Sequence, residues 1–277
     1  DIQGTDASEF LNRVYTNAWS KLAIGKCRYG LMLNEDGMVY DDGVTTRLDE
    51  NHYIMTTTTG GAANVLGKLE DYLQTEWPEL DVYLSSVTDH YATASICGPN
   101  SKKILNKLIP DLDLSDESFP HMSFKNAKIN NIKCRIMRIS FTGEHTYEIN
   151  IQANYGEDLW KKCMEAGEEF NITPYGTETM HLLRAEKGFI IVGQDTDGTM
   201  TPIDLQMDWI VSKKKYDFIG KRSLYRSDTM KEDRKQLVGL VTDNPTEVLE
   251  EGAQIIANTS LKPVEMLGHV TSSYYSP

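Results

Sequence analysis

Apolar and polar positions follow two recurring patterns along the chain. Short apolar runs bounded by turn residues predict strands. They lie at 28–33, 38–42, 53–59, 82–97, 132–139 and 147–151. Apolar residues spaced three and four apart predict helices. These begin after Asp6, which forms a capping-box pattern with Glu9, and then occupy 62–77, 101–109, 156–166 and 177–187. Gly188 is expected to end the last helix in a left-handed conformation.

The order of these segments predicts an α+β fold, because a helix, strands and a second helix are followed by a similar set. A charged stretch at 227–235 is interpreted as a linker between two regions, 1–226 and 235–277. The second region begins with the apolar run 237–241 and is predicted to be rich in strands. It is too short to close well on its own as a β domain.

The chain is acidic, with 41 Asp and Glu residues, 28 Lys and Arg residues and a formal net charge of −13. An acidic surface repels phosphate backbones, so we expect no nucleic-acid partner. The densest basic cluster, at 213–215 and 221–222, predicts either a solvated turn or a docking point for a small polyanion. No run of eighteen apolar residues is present, so no membrane-spanning helix or membrane partner is predicted.

The cysteines and histidines indicate no metal site. Four cysteines lie far apart without a CxxC pair, and the six histidines have no ligand spacing. Reduced, buried thiols in a cytoplasmic protein fit this cysteine pattern best. The glycines form no GxGxxG motif, so no dinucleotide site is predicted in this span.

Two acidic positions attract attention as candidate functional residues. Asp41 and Asp42 end a predicted strand, where neighbouring side chains point to opposite faces. One of them can face a cavity while the other meets solvent, but the pair on its own is a weak signal and a hydrated turn is its more ordinary explanation. Glu186 lies near a predicted helix C-terminus, where the helix dipole disfavours an anion. That mismatch favours a function for Glu186, while Lys187 supplies an ordinary C-terminal cation.

Six short motifs occur in a fixed order. They are Val39-Tyr40-Asp41-Asp42; Phe141-Thr142-Gly143-Glu144 with Tyr147-Glu148-Ile149; Arg184-Ala185-Glu186-Lys187-Gly188; Gly193-Gln194-Asp195; Thr201-Pro202; and Asp217-Phe218-Ile219-Gly220-Lys221. Together they resemble the motifs of the glycine-cleavage T-protein (aminomethyltransferase) family. The resemblance covers nearly the whole chain.

Within that family the chain is most similar to the folate domains of heterotetrameric sarcosine oxidase alpha subunits. The segments at 1–4, 53–59, 77–82 and 172–178 show this similarity. The chain departs from T-proteins just before the Asp217 motif, where Lys215 stands near the usual position of an Arg. Family members have several dozen residues before the equivalent of Asp1 and further strands after Pro277. The chain is therefore interpreted as a fragment of a longer polypeptide.

The resemblance implies a folate-binding fold with antiparallel sheets and packed helices around tetrahydrofolate. It assigns 1–226 to that fold and 235–277 to an incomplete C-terminal β-barrel. In sarcosine oxidase, a flavin-bearing beta subunit oxidises sarcosine to an imine. The folate domain then captures the imine, giving 5,10-methylenetetrahydrofolate and glycine. FAD, FMN and NAD would belong to other parts of a complex that also includes smaller subunits.

The same resemblance implies roles for individual residues. Asp42 is the predicted catalytic residue, which stabilises positive charge near folate N5 and orients or accepts the N10 proton. Glu186 is expected to accept hydrogen bonds from the N–H and amino group of the pteridine edge. The other predicted cofactor contacts are Val44, Thr46, Thr58, Tyr175 as a stacking partner, and Lys215 without the bidentate geometry of Arg.

Two alternative functions remain open from the sequence. The first is another enzyme of the same fold, such as a glycine-cleavage aminomethyltransferase or a tetrahydrofolate-dependent demethylase. The second is a folate-binding or assembly module without chemistry of its own. Co-purification with a flavin-bearing subunit favours sarcosine oxidase, whereas a lipoyl-protein partner favours the aminomethyltransferase.

Overall fold

A computed structural model describes residues 1–260 and 262–277 and confirms the α+β prediction. The strands in this part of the chain are β1 (Ile2–Gln3), β2 (Cys27–Leu33), β3 (Val39–Asp49), β4 (His52–Met55), β5 (Tyr83–Leu84), β6 (Tyr91–Cys97), β7 (Phe124–Ile129), β8 (Ile132–Met137), β9 (Thr146–Gln152), β10 (Gln254–Ile256) and β11 (Met266–His269). The α-helices are α1 (Ala7–Val14), α2 (Ala62–Asp71), α3 (Ser101–Leu108), α4 (Gly156–Gly167) and α5 (Thr177–Lys187).

The first sheet has the strand order β2-β3-β4-β1-β5, and all of its paired strands are antiparallel. Helices α1 and α2 cover one face of this sheet. The reason lies in the spacing of α1, whose apolar residues at 7, 10, 11 and 14 form one stripe and are all buried. They pack with Tyr53 of β4 and with Val65 and Leu69 of α2.

The second sheet has the order β6-β9-β8-β7 and is also antiparallel. Its outer face is covered by α3 and α4, which bury alternate strand residues such as Ile136, Tyr147 and Ile149. Its other face turns toward the first sheet. There Met137 of β8 packs with Cys27 and Ile54 of the first sheet, so the two inner faces enclose a common interior.

Several predicted boundaries were wrong. The strand expected to end at Asp41 and Asp42 continues to Asp49, because β3 pairs with β2 and β4 along this length. The strand predicted over 82–97 is two strands, β5 in the first sheet and β6 in the second. Strand β7 was not predicted, because its exposed face carries polar residues. Gly188 does end α5 in a left-handed conformation, with φ 79°.

The predicted capping box before α1 does not form. Asp6 occupies the N-cap position, but its side chain makes no capping hydrogen bond. Its carboxylate instead accepts a hydrogen bond of 2.9 Å from the backbone N–H of Asp81. Asp6 therefore ties the start of α1 to the segment before β5.

The charged stretch at 227–235 packs against the preceding residues. Thr229 is buried, and its hydroxyl donates 2.7 Å to the carbonyl of Ser223. Arg234 donates to the buried carboxylate of Asp204 from Nε at 2.9 Å. Beyond it, the predicted strand at 237–241 is not observed, and β10 and β11 form a separate two-stranded sheet.

A buried ion pair joins α5 to the C-terminal residues. The guanidinium of Arg184 donates to Asp195, and both side chains are almost fully buried. Asp195 also accepts hydrogen bonds from the backbone N–H of Ile191 at 2.8 Å and from the hydroxyl of Thr271 at 2.7 Å. Tyr274 accepts from Arg184 at 3.3 Å. The pair therefore connects α5, the following loop and the segment after β11.

Two structural absences concern only the described residues. Among them, no helix combines the length and apolar character needed to cross a membrane. Over the same residues, no group of three or more His, Cys, Asp or Glu side chains is arranged to hold a metal ion.

We expect Asp195→Ala to lower the free energy of unfolding by about 3–5 kcal/mol, because it leaves the Arg184 charge buried without its partner. Chemical denaturation measures this change. The matched control is Glu157→Ala, which breaks the exposed pair with Lys161 on α4 and is expected to change stability by less than about 0.5 kcal/mol. Equal losses in the two variants would contradict the importance assigned to the buried pair.

Candidate functional site

Asp41 and Asp42 lie on opposite faces of β3. Asp42 shares the inner face with Tyr29 and Val44, because Leu31 pairs with Asp42 and Tyr29 pairs with Val44. Asp41 points the other way, toward the helices, and is only 2% exposed. The expectation that one of the pair meets solvent was therefore wrong, since both faces of the strand are covered.

Asp41 organises the segment that follows β4. The backbone N–H of Thr58 lies 3.3 Å from both carboxylate oxygens of Asp41, immediately before a helical turn begins at Thr59. Burial raises the pKa of Asp41 to about 6, the charge of Asp42 adds to the rise, and the hydrogen bonds from Thr58 oppose it. Asp41 thus has a structural role in placing Thr58.

Asp42 is held by two hydroxyl donors. Tyr29 donates to one carboxylate oxygen at 2.6 Å, and Thr58 donates to the other at 3.4 Å. Burial raises the pKa of Asp42, while these two hydrogen bonds lower it. The nearby carboxylate in turn raises the pKa of Tyr29, after the larger effect of burial. The result is a half-buried carboxylate in a defined orientation, with lone pairs left to meet a ligand.

Gly43 permits this arrangement. A Cβ atom at this position would lie 1.9 Å from the carbonyl oxygen of Thr56, which no side chain can tolerate. The hydroxyl of Thr56 also accepts a hydrogen bond of 3.0 Å from the N–H of Val44. The chain after β4 can therefore cross closely over β3 and bring Thr58 to Asp42.

Val44 and Thr46 continue along the same face of β3 but differ in burial. Val44 is half-buried beside Asp42, so it can contact a ligand there. Thr46 is completely buried, and its hydroxyl donates to the sulfur atoms of Cys27 at 3.2 Å and Met137 at 3.9 Å. Thr46 thus lies at the junction of the two sheets.

Glu148 is an interior carboxylate that the sequence did not single out. It lies on β9 between Ser95 and Met137, on the inner face of the second sheet. Burial raises the pKa of Glu148 to about 7. Among the described residues, no side chain or backbone N–H donates a hydrogen bond to its carboxylate. On β9 the side chain of Glu148 points to the face opposite that of the buried Tyr147 and Ile149. In a sequence, a charged residue between two apolar ones normally indicates a solvent-facing position, so this pattern did not identify Glu148.

Tyr175 lies beside Glu148. Its hydroxyl accepts a 3.2 Å hydrogen bond from the thiol of Cys97, at the end of β6. Burial raises the pKa of Tyr175 to about 12, with smaller contributions from Cys97 and from the charge of Glu148. Ser95, whose hydrogen bond opposes this rise, is exposed although it lies on the inner face. The interior beside Glu148 is therefore open on this side.

The structure does not bring Glu186 or Lys215 into these contacts. Glu186 is exposed at the end of α5 and accepts a hydrogen bond from the hydroxyl of Ser276. The ammonium of Lys215 donates to the backbone carbonyls of Tyr15 at 2.5 Å and Asn17 at 3.2 Å. Burial lowers the pKa of Lys215 to about 7. Lys215 thus stabilises the C-terminal end of α1, where a cation is favourable.

Two carboxylates in different surroundings therefore face one interior. Asp42 is oriented by hydroxyl donors, whereas Glu148 is half-buried and lacks a donor among the described residues. Such a pair can divide two tasks. One carboxylate can stabilise a positive charge or accept a proton, while the other accepts hydrogen bonds from N–H groups of a ligand.

Comparison with known proteins matches the chain to two family models. The model of the GCVT N-terminal domain matches residues 1–215, and that of the glycine cleavage T-protein C-terminal barrel domain matches residues 235–277. The chain belongs to the glycine cleavage T-protein family. The second match also supports the expectation of barrel-type structure in the C-terminal segment.

Curated relatives in two groups cover the whole chain. The sarcosine oxidase subunit alpha of Corynebacterium sp. (strain P-1) is 55% identical, and that of Rhizobium meliloti (strain 1021) is 46% identical. The chain spans only 29% and 28% of their lengths. An aminomethyltransferase of Thermoanaerobacter sp. (strain X514) is 31% identical, and the chain spans 72% of it. These relatives confirm the predicted similarity to sarcosine oxidase alpha subunits.

A solved structure shows the same fold. The glycine cleavage system aminomethyltransferase T from Bartonella henselae superposes with a TM-score of 0.70 at 24% sequence identity. The match covers 80% of this chain and 58% of that protein. The predicted T-protein-like fold class is therefore confirmed.

The raised pKa of Glu148 predicts a pH-dependent stability change. In the unfolded chain this group ionises near its ordinary pKa, but in the folded protein it ionises only near pH 7, so wild-type stability falls as pH rises between these values. Glu148→Gln removes this penalty. We expect its melting temperature relative to wild type to be higher at pH 8 than at pH 5 by about 2–4 °C for each kcal/mol relieved.

The matched control is Glu144→Gln, because Glu144 is exposed in the turn four residues earlier. Its melting temperature relative to wild type is expected to be the same at both pH values. A pH-independent difference for Glu148→Gln would show that burial does not hold this carboxylate protonated.

Proposed function

We propose that this chain is the folate-binding, one-carbon transfer part of a sarcosine oxidase alpha subunit. It captures the imine formed from sarcosine and yields 5,10-methylenetetrahydrofolate and glycine. The observation that best supports this is the oriented carboxylate of Asp42, held by Tyr29 and Thr58 on an inner face of the fold. The high identity to sarcosine oxidase alpha subunits over the whole chain supports the choice of complex.

Asp42 is the proposed catalytic residue. Tetrahydrofolate supplies the two nucleophilic nitrogens, N5 and N10, that accept the one-carbon unit. A carboxylate beside them stabilises positive charge at the reacting centre and can accept the N10 proton. The hydrogen bonds from Tyr29 and Thr58 favour the ionised form needed for both tasks and fix its direction. Val44 and Thr58 form the adjoining wall.

Glu148 is the proposed acceptor for the pterin edge. That edge presents an N–H and an amino group side by side, which a carboxylate can accept as a fork. Glu148 offers an inner-face carboxylate without a donor among the described residues, and Tyr175 beside it offers a ring for stacking. We prefer it to Glu186, because Glu186 is exposed and hydrogen-bonded to Ser276. Thr46 and Lys215 make their hydrogen bonds within the protein, so we do not propose them as folate contacts.

In the proposed complex, oxidation of sarcosine takes place on another subunit. A flavin-bearing beta subunit would oxidise sarcosine, and smaller subunits would complete the assembly. FAD, FMN and NAD would be bound by those subunits or by other parts of the alpha subunit. The four cysteines are all free thiols, which supports a cytoplasmic protein.

A glycine-cleavage aminomethyltransferase is the second candidate. The 31% identical relative from Thermoanaerobacter, of which the chain spans 72%, favours it. The two candidates differ in their partners, since this one requires a lipoyl-protein and sarcosine oxidase requires a flavin subunit. Isolation of the full-length protein with a bound flavin-bearing subunit supports the first proposal.

Asp42→Asn is expected to lower the rate of methylene transfer by about 100-fold or more, because the amide neither carries the charge nor accepts the proton. The assay uses the assembled enzyme and compares 5,10-methylenetetrahydrofolate with free formaldehyde as products. Folate binding is expected to survive. Asp49→Asn, at the exposed end of β3, is the control and should transfer at the wild-type rate. Normal transfer by Asp42→Asn would refute the catalytic assignment.

Glu148→Gln and Glu186→Gln distinguish the two candidate pterin acceptors. Replacing the true acceptor removes one charged hydrogen bond and introduces a repelling donor, which weakens folate binding by about 10- to 100-fold. Calorimetry with a reduced folate is expected to show this loss for Glu148→Gln and unchanged affinity for Glu186→Gln. The reverse pattern restores Glu186 to the role that the motif resemblance implied.

A further inference from the structure

Asp41 is a buried carboxylate next to the proposed catalytic residue. Its side chain is 2% exposed on the face of β3 that the helices cover. Among the described residues it takes part in no ion pair, and the backbone N–H of Thr58 lies 3.3 Å from both of its oxygens. Burying a carboxylate without a cation is costly. A neutral side chain would fit this position at lower cost, so the charge of Asp41 points to a function.

Thr58 connects the two faces of β3. Strand β4 pairs with β3 as far as Met55, which lies opposite Thr45, and the chain after it then crosses over β3. There the backbone N–H of Thr58 faces Asp41, while the Thr58 hydroxyl donates to Asp42 at 3.4 Å. A single residue therefore contacts both carboxylates, Asp41 by its backbone and Asp42 by its side chain.

Asp41 also ties the start of a helical segment to β3. The helical turn that begins at Thr59 continues directly into α2, and the N–H of Gly61 donates 2.9 Å to the carbonyl of Thr58. This turn packs against Asp41, because a Cβ atom at Gly61 would lie 3.5 Å from one of its carboxylate oxygens. An anion is favourable at the N-terminal end of a helix. The carboxylate thus fixes where the backbone of Thr58 sits relative to β3.

We propose that Asp41 is a positioning residue for one-carbon transfer, which holds Thr58 so that the Thr58 hydroxyl keeps Asp42 directed at the folate nitrogens. This inference rests on the proposed function of Asp42. Without the Thr58 contact, Asp42 keeps one donor, Tyr29 at 2.6 Å, and its carboxylate can turn about that single hydrogen bond. Misdirection of the carboxylate weakens its effect on the reacting centre. Asp41 faces the helices, so folate affinity does not depend on it.

A double-mutant cycle of Asp41→Asn and Thr58→Val in the assembled enzyme tests this. The readout is the ratio of 5,10-methylenetetrahydrofolate to free formaldehyde in the first turnovers at saturating folate. Thr58→Val removes the hydroxyl but keeps the backbone N–H. We expect each single variant to lower the ratio by about 3- to 10-fold, the size of one lost hydrogen bond. In the Thr58→Val background, Asp41→Asn should lower the ratio no further.

Folate affinity and stability separate positioning from a general structural role. Calorimetry should show that Asp41→Asn binds a reduced folate as wild type does. The N–H of Thr58 persists in Thr58→Val, so Asp41→Asn should lower the melting temperature in both backgrounds. The matched control is Asp204→Asn, because Asp204 is 1% exposed and accepts the N–H and hydroxyl of Thr201 at 2.7 and 2.9 Å. It should lower the melting temperature and keep the wild-type product ratio.

Three results overturn the inference. They are an unchanged ratio in Asp41→Asn, an equal further loss when Asp41→Asn is added to Thr58→Val, and a loss of the same size in Asp204→Asn. Should Asp41→Asn fail to assemble, Asp41→Ser takes its place in the cycle, since it removes the buried charge with a smaller side chain. If the wild-type enzyme forms no 5,10-methylenetetrahydrofolate, the proposed function itself is wrong and the inference falls with it.

Discussion

The contact between the inner faces of the two sheets is the constraint on which the candidate site depends. It centres on Thr46, whose hydroxyl donates to Cys27 of its own sheet and to Met137 of the other. Without this contact, Asp42 and Glu148 would lie on the solvent faces of two ordinary half-covered sheets. Closing the sheets against one another makes both positions interior, and burial then raises the pKa of both carboxylates.

The inner faces differ in how their charges are satisfied. Asp42 has two hydroxyl donors, whereas the carboxylate of Glu148 has no hydrogen-bond donor among the described residues. A charged group with hydrogen-bond partners inside the protein is already oriented before a ligand binds. A charged group without such partners forms new hydrogen bonds when a ligand supplies them, and it therefore contributes more to binding. This contrast separates the proposed catalytic position from the proposed binding position. The buried ion pair of Arg184 with Asp195 differs from both positions, because its two charges neutralise one another within the protein and it has a structural role.

Element types were largely predictable from periodicity, but pairings were not. The stripe of α1 and the left-handed Gly188 follow from local spacing and backbone conformation, and both were found. The run at 82–97 illustrates the limit, because nothing local shows that β5 and β6 belong to different sheets. The capping box predicted at Asp6 does not form for a similar reason, because its carboxylate accepts a hydrogen bond from the backbone of Asp81, 75 residues away.

The sequence by itself determined the family and the α+β class, because these depend on local patterns and motifs, and it predicted the Asp41-Asp42 pair as candidate functional residues. Only the tertiary structure decided which carboxylates face the interior. Alternation on β9 places Glu148 opposite Tyr147, but it cannot show that a second sheet covers that face. Nor can the helix pattern show that Glu186 meets Ser276 or that Lys215 contacts α1. Burial is a property of the assembled fold, and burial is what turns a charged side chain into a candidate for function.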